Sequence, residues 1–124
     1  MNRVAFFAQD LIGDALVWAN MPQAMPKLFP PCEVTVFCTK GVAELFSCMT
    51  FCDHVVAYDI ETPWTEEEAH GFGCFDIVLN TRYDADSAVR VDALDHGAAY
   101  GFENIDIPES VCKRVYKDYV PLSR

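Results

Sequence analysis

Arg3-Val4-Ala5-Phe6-Phe7-Ala8-Gln9-Asp10-Leu11-Ile12-Gly13-Asp14 reads as a strand, a tight turn and the start of a helix. Val4 to Ala8 is an uninterrupted apolar run of strand length, the pattern of a parallel strand covered on both faces rather than one. Gly13 allows backbone angles, or a close approach, that a side chain would forbid. Asp14 falls where a helix N-cap or a first-turn acid belongs. That places a carboxylate at the carboxyl end of the first strand of an open α/β sheet, where such sheets bind ligands. The structural alternative is that Asp14 only satisfies the free N–H groups of its own helix.

The remaining chain repeats the alternation. A helix over Asp14 to Leu28 carries an apolar stripe of Ala15, Leu16, Trp18, Ala19, Met21 and Met25, is bent or divided at Pro22 and is stopped by Pro30-Pro31. Glu33 to Cys38 is a second strand rich in β-branched residues, Thr39-Lys40-Gly41 a turn, Val42 to Phe46 the beginning of a second helix, and His54 to Tyr58 a third strand. Trp64 anchors the loop that follows. Thr65 and Glu68 form a capping-box pattern, which accounts for Glu66, Glu67 and Glu68 as the start of a short helix without any metal chemistry. Phe75 to Asn80 is a fourth strand, and Tyr83 to His96 a helix stopped by Gly97. Ala98 to Phe102 is a short fifth strand, Pro108-Glu109 opens a last helical turn with Asp106 as its cap, and Tyr116 to Leu122 returns as a sixth strand. A βαβαβ succession of this kind predicts a Rossmann-like three-layer α/β sandwich on a mainly parallel sheet of five or six strands, with residues 1–124 as one domain.

Composition excludes several functions. An apolar share of 52% excludes disorder, while no apolar stretch reaches the eighteen or so residues of a membrane span and no signal sequence opens the chain, so it is expected in the cytoplasm. A net charge of -10 repels phosphate backbones, which argues against nucleic acid as a partner. The six cysteines (Cys32, Cys38, Cys48, Cys52, Cys74, Cys112) have no paired metal-ligand spacing; only Cys48 and Cys52 are four apart, and the set reads as buried free thiols. His54, His70 and His96 are scattered singly, without a companion that would make a ligand or a catalytic base. No metal and no cofactor is called for.

Ile12-Gly13-Asp14-Ala15-Leu16, then Met21-Pro22 and a helix closing in Leu28-Phe29-Pro30, resembles the opening of the bacterial heptosyltransferase-like glycosyltransferases, the enzymes of ADP-heptose:lipopolysaccharide type. Three later landmarks are similar to the family's and follow in order: the aromatic-Asp-hydrophobic strand at Phe75-Asp76-Ile77-Val78-Leu79, a Ser-small pair at Ser87-Ala88, and a Gly-aromatic-acid step at Tyr100-Gly101-Phe102-Glu103. The resemblance implies the N-terminal half of a two-domain GT-B enzyme. That half receives the acceptor, while a C-terminal domain holds most of the nucleotide-diphosphate sugar. It further implies that Asp14 is the general base, taking the acceptor's hydroxyl proton while the diphosphate leaves from the opposite face of the sugar carbon. Backbone N–H groups beyond Ile12 and Gly13 point toward the leaving phosphates in that arrangement, although no GxGxxG or Walker pattern is present. Arg82 and Tyr83, just past the fourth strand, and Ser87 are the candidate acceptor-binding residues. The structural alternatives are a surface ion pair of Arg82 with Asp84 or Asp86, worth under about 1 kcal/mol, and plain packing for Tyr83.

Two departures qualify the transfer. The chain ends at Arg124, about where the family's linker to its second domain begins, so this domain is expected to be inactive without a donor-binding partner domain or subunit. Where members that act on a phosphorylated lipopolysaccharide core carry basic residues, this chain has Glu66, Glu67, Glu68 and Asp86, leaving a neutral sugar, a protein or nothing as acceptor. Two other readings stand beside the enzyme. One is a non-catalytic α/β binding or protein-interaction module derived from the same fold. The other is a receiver-like switch with Asp59 as phosphoacceptor, although the acidic pair such a switch needs after its first strand is missing.

Overall fold

The computed structural model describes residues 2–10, 13–14, 20, 32–103 and 106–121. Among them six strands form one sheet: β1 (Asn2–Phe7), β2 (Cys32–Thr39), β3 (His54–Tyr58), β4 (Phe75–Asn80), β5 (His96–Phe102) and β6 (Asp118–Val120). Every pairing is parallel and the spatial order is β3-β2-β1-β4-β5-β6. This is the doubly wound order of dinucleotide-binding folds, in which the direction of winding reverses between β1 and β4.

Both faces of the sheet are covered, which is why β1 shows no polar alternation. Val4, Phe6 and Ala8 pack with Val34, Val36 and Cys38 against Val42 and Phe46 of α1 (Lys40–Ser47). Ala5, Phe7, Phe37, Tyr58 and Val78 lie on the opposite face. There they meet Ala88 and Val91 of α3 (Ala85–Ala93) and Cys112 and Val115 of α4 (Glu109–Val115). The short α2 (Glu66–Gly71) closes that face beside Trp64. The Trp64 ring lies 5.3 Å from Phe37 and 5.0 Å from Phe72, so the loop anchor expected from sequence reaches the core.

The third and fourth strands and the capping box at Thr65 and Glu68 agree with the sequence, the box closing with bonds of 3.1 and 3.2 Å, whereas the sixth strand, expected over Tyr116 to Leu122, is only Asp118–Val120 because Tyr116 still closes α4. Other boundaries differ. Thr39-Lys40-Gly41 is not a turn, because α1 begins at Lys40 directly behind β2. The helix expected to run to His96 ends at Ala93, and His96-Gly97 belong to β5, where a Cβ on Gly97 would sit 2.8 Å from the Asp76 carbonyl oxygen. Pro108, not Asp106, precedes α4, which runs to Val115 and is longer than the single turn expected. All six thiols are free, but Cys48 and Cys74 are exposed rather than buried. Of the first helix, Gly13, Asp14 and Asn20 are helical; its apolar stripe, Trp18 and the bend at Pro22 lie outside the described residues.

Candidate functional site

The reversal of winding leaves a crevice beyond the carboxyl ends of β1 and β4, with a hollow of about 260 Å3 lined by Gln9, Asp10, Ile60, Arg82, Tyr83 and Asp84. Its floor is laced by the two strand tails. Thr81 donates from its backbone N–H (3.2 Å) and its hydroxyl (2.7 Å) to the Phe7 carbonyl, and the Gln9 side chain donates back to the Thr81 carbonyl.

Arg82 organises this floor. Its side chain is 5% exposed, so it is not the surface ion pair the sequence suggested, and it binds Asp10 and Asp84 rather than Asp86. Nη1 donates to Asp10 Oδ1, Nη2 to Asp10 Oδ2 (3.1 Å) and Asp84 Oδ2 (2.6 Å), and Nε to Asp84 Oδ1 (3.2 Å). Two carboxylates thus share one guanidinium. Burial alone would push the Arg82 pKa down, but the hydrogen bonds it donates to Asp84 and Asp10 outweigh it and hold the pKa above its ordinary value. Burial likewise works against an ionised Asp84, and the Arg82 hydrogen bond nonetheless keeps that carboxyl below the usual range. Asp86 pairs instead with Arg90, at 2.8 Å.

This network draws on groups that would otherwise cap helices. Thr39 stands at the N-cap of α1 with extended angles, yet its hydroxyl donates to Asp10 Oδ1 at 3.0 Å and makes no cap bond. Asp84 stands at the N-cap of α3 and likewise makes none, its carboxylate being held by Arg82. A capping bond is worth about 1 kcal/mol. Two helices that start at the crevice forgo it, while α2, which starts away from it, does not.

A second layer supports the first. Asn80, the last residue of β4, donates to Ser87 Oγ (3.0 Å) and to the Tyr116 hydroxyl (2.8 Å), and its own Oδ1 accepts the Arg82 backbone N–H (2.9 Å). Gly101 makes this possible, because a Cβ there would stand 2.6 Å from the Tyr116 ring. Ser87 is fully buried with its hydroxyl engaged by Asn80 and the Asp84 carbonyl, so it positions the Asp84 turn and does not line the crevice. Tyr83 is 58% exposed at the crevice rim. Asp14 and Gly13 are helical and exposed, and Asp14 makes no hydrogen bond or ion pair among the described residues. Among the described residues no atom lies within 4 Å of where a Cβ on Gly13 would stand, so none of them demands glycine there. Ile12 lies outside the described residues.

Sequence reasoning missed Asp10, Thr39, Asn80 and Tyr116. The one available signal was position, since Asn80 is the first polar group after the apolar run of β4, and Asp10 follows Gln9 directly beyond the apolar run of β1. Nor are all the histidines solitary: His70 Nδ1 lies 2.8 Å from Asp95 and Nε2 3.5 Å from Glu66, on a part of the surface that contributes nothing to the crevice lining. No group of three or more metal-binding side chains occurs among the described residues, and no helix among them is long and apolar enough to cross a membrane.

No protein-family model and no curated protein matches the chain. Solved structures do. The glycosyl transferase family 9 protein from Veillonella parvula superposes with a TM-score of 0.80 at 14% identity, over 98% of this chain and 36% of that one. The E. coli ADP-heptose LPS heptosyltransferase II gives 0.79 at 13% identity, over 99% and 35%. The E. coli heptosyltransferase WaaC with ADP gives 0.71 at 18% identity, over 98% and 41%. These are structures of the family that the sequence motifs resemble. At such identities the likeness is one of fold, and the chain spans little more than a third of the length of the first two.

Proposed function

We propose that this chain is the acceptor-side domain of an inverting glycosyltransferase of heptosyltransferase type, which turns over only with a donor-binding domain facing its crevice. The observation that carries the reading is the exposed Asp14 carboxylate at the start of the helix after β1, on the strand beside the reversal of winding, in a fold shared with heptosyltransferase structures. WaaC is described with ADP. A nucleotide-diphosphate sugar is accordingly the donor proposed here.

In this mechanism Asp14 accepts the proton of an acceptor hydroxyl as its oxygen attacks the anomeric carbon, and the diphosphate departs on the far side with inversion. Asp10 is the nearer acid in sequence to β1, but its carboxylate is neutralised by Arg82 and bonded by Thr39, whereas Asp14 is exposed and makes no such bond among the described residues, which makes it the proposed proton acceptor. Tyr83 offers a ring at the rim for the apolar face of a sugar. Arg82 and Ser87 act indirectly, by fixing Asp10, Asp84 and the turn that carries Tyr83.

The test is Asp14→Ala in a protein that carries both domains. General-base catalysis contributes about 10²–10⁴-fold, so transfer should fall by at least that lower figure, with the melting temperature within a few degrees of the parent. Full transfer by Asp14→Ala would reject the base assignment and leave Asp14 as no more than a cap for its own helix. The 124-residue chain by itself should bind a nucleotide sugar weakly or not at all, and turnover of one by this chain without a partner would refute the division of labour.

A further inference from the structure

Asn80 closes β4 and is 2% exposed, and its side chain reaches both ends of the turn that borders the crevice. The Arg82 backbone N–H can only donate, so the amide oxygen faces it, at 2.9 Å, and the amide nitrogen is left to face Ser87 Oγ at 3.0 Å and the Tyr116 hydroxyl at 2.8 Å. Ser87 Oγ in turn donates to the Asp84 carbonyl at 3.0 Å. Tyr83 and Asp84, which line the crevice, are therefore slung between two points held by one amide. We propose that Tyr116, at the end of α4 and outside the crevice lining, is a positioning residue for the crevice and acts on it through Asn80. The proposal deepens the glycosyl-transfer reading, and rests on it only in taking the crevice as the place where substrate binds.

Three features carry it. First, the phenol is fastened from behind. The Tyr116 N–H donates to the Cys112 carbonyl of α4 at 2.9 Å, and the N–H of the next residue, Lys117, donates to the Ala99 carbonyl of β5 at 2.8 Å. The ring packs on Gly101, where a Cβ would stand 2.6 Å from it, so β5 is cleared at the point where the hydroxyl reaches β4. Second, the hydroxyl is a constant partner. Tyr116 is 4% exposed and burial pushes its pKa up to about 12, so it stays protonated and uncharged across the neutral range. Third, the amide has no group to spare. Ser87 and Tyr116 take its N–H donors and Arg82 takes its oxygen. Without the Tyr116 hydroxyl a buried N–H loses its partner, and a half-turn of the amide in search of another gives up the Arg82 bond. The turn that carries Tyr83 and Asp84 is then held less firmly, although Tyr116 itself touches neither.

Amide hydrogen exchange of the chain, read by NMR, tests this. Tyr116→Phe keeps the ring on Gly101 and removes only the hydroxyl. It should speed exchange at the Arg82 amide about fivefold, the worth of one hydrogen bond, while the amide of Val36 in the core of β2 changes by less than about twofold. Asn80→Ala should speed exchange at Arg82 as much or more. Adding Tyr116→Phe to Asn80→Ala should then change nothing further, because non-additivity marks a residue that acts through another. If Asn80→Ala does not fold, Asn80→Ser serves in the same cycle. Unchanged exchange at Arg82 in Tyr116→Phe overturns the proposal. So does an equal acceleration at Val36, which would make Tyr116 a matter of general stability, or a full further acceleration at Arg82 when Tyr116→Phe is added to the Asn80 variant. None of these measurements involves transfer, so failure here is distinct from retention of activity in Asp14→Ala.

Discussion

The β1–β4 pair carries an arginine at each end, and the two are held in opposite ways. At the amino end Arg3 lies 4.5 Å over the Phe75 ring and donates to the carbonyls of Phe72 and Cys74, both at 3.0 Å, and to Glu33 at 3.2 Å. Gly73, at φ 84°, clears the way, since a Cβ there would stand 2.6 Å from Nη1. The partners are mostly neutral backbone, and the result is a strap that ties the α2–β4 connection to β1. At the carboxyl end Arg82 is held by two carboxylates whose own side chains remain 44% and 36% exposed. A guanidinium tied to carbonyls fixes chain, whereas one tied to acids also sets the charge of the surface around it. At the second end Thr39 and Asp84, the N-cap residues of α1 and α3, are both drawn into the network instead of capping their helices.

The largest expected effect comes from removing the buried cation. Arg82→Met should cost about 2–4 kcal/mol in urea unfolding, because Asp10 and Asp84 are left facing each other uncompensated. Arg3→Met should cost about 1–2 kcal/mol, since most of what it leaves unpaired is carbonyl oxygen near solvent. A reversed order would dissolve the distinction drawn between the two ends.

Gly73→Ala sharpens it from the other side. Forcing a side chain into positive φ and against the Arg3 guanidinium should cost about 1–2 kcal/mol. The charge of the Arg82 network should be untouched, as its acid titration would show.

The smallest effects lie in the pH dependence. Asp84 has a lowered pKa in the folded chain, so its contribution is present above the ordinary carboxylate value of about 4 and is lost as pH falls through the lowered one. Hydrogen bonds that the protonated ring donates to Asp95 and Glu66 raise the His70 pKa, so its contribution is present below about 6.5 and disappears as pH rises through the raised value. Asp84→Asn should flatten the acid limb of a melting-temperature profile, and His70→Gln a shallower slope on the neutral-to-alkaline side.

How far these features were legible from sequence follows from the range of the forces involved. The capping box at Thr65 and Glu68 spans three residues and was readable, as was the run of β1, because burial on both faces leaves its mark along a single strand. Asp84 has the residue type and place of an N-cap and would be read as one. Its carboxylate caps nothing, because Arg82, two residues back and itself tied to Asp10 seventy-two residues away, draws it elsewhere. His96-Gly97 looked like a helix stop, and pairing of β5 with β4 made it strand. The pairing of Asn80 with Tyr116, thirty-six residues on, had no local signal at all.

The sequence by itself determined the alternation of strands and helices, the double-sided burial of the sheet, and the arrival of a glycine and an acid after its first strand, since each is written in neighbouring residues and in hydrophobic period. Which acid is neutralised and which stays exposed was decided only by tertiary structure. The reversal of winding between β1 and β4 brings two distant strand ends together, and one buried guanidinium then claims Asp10 and Asp84, leaving Asp14 in the open.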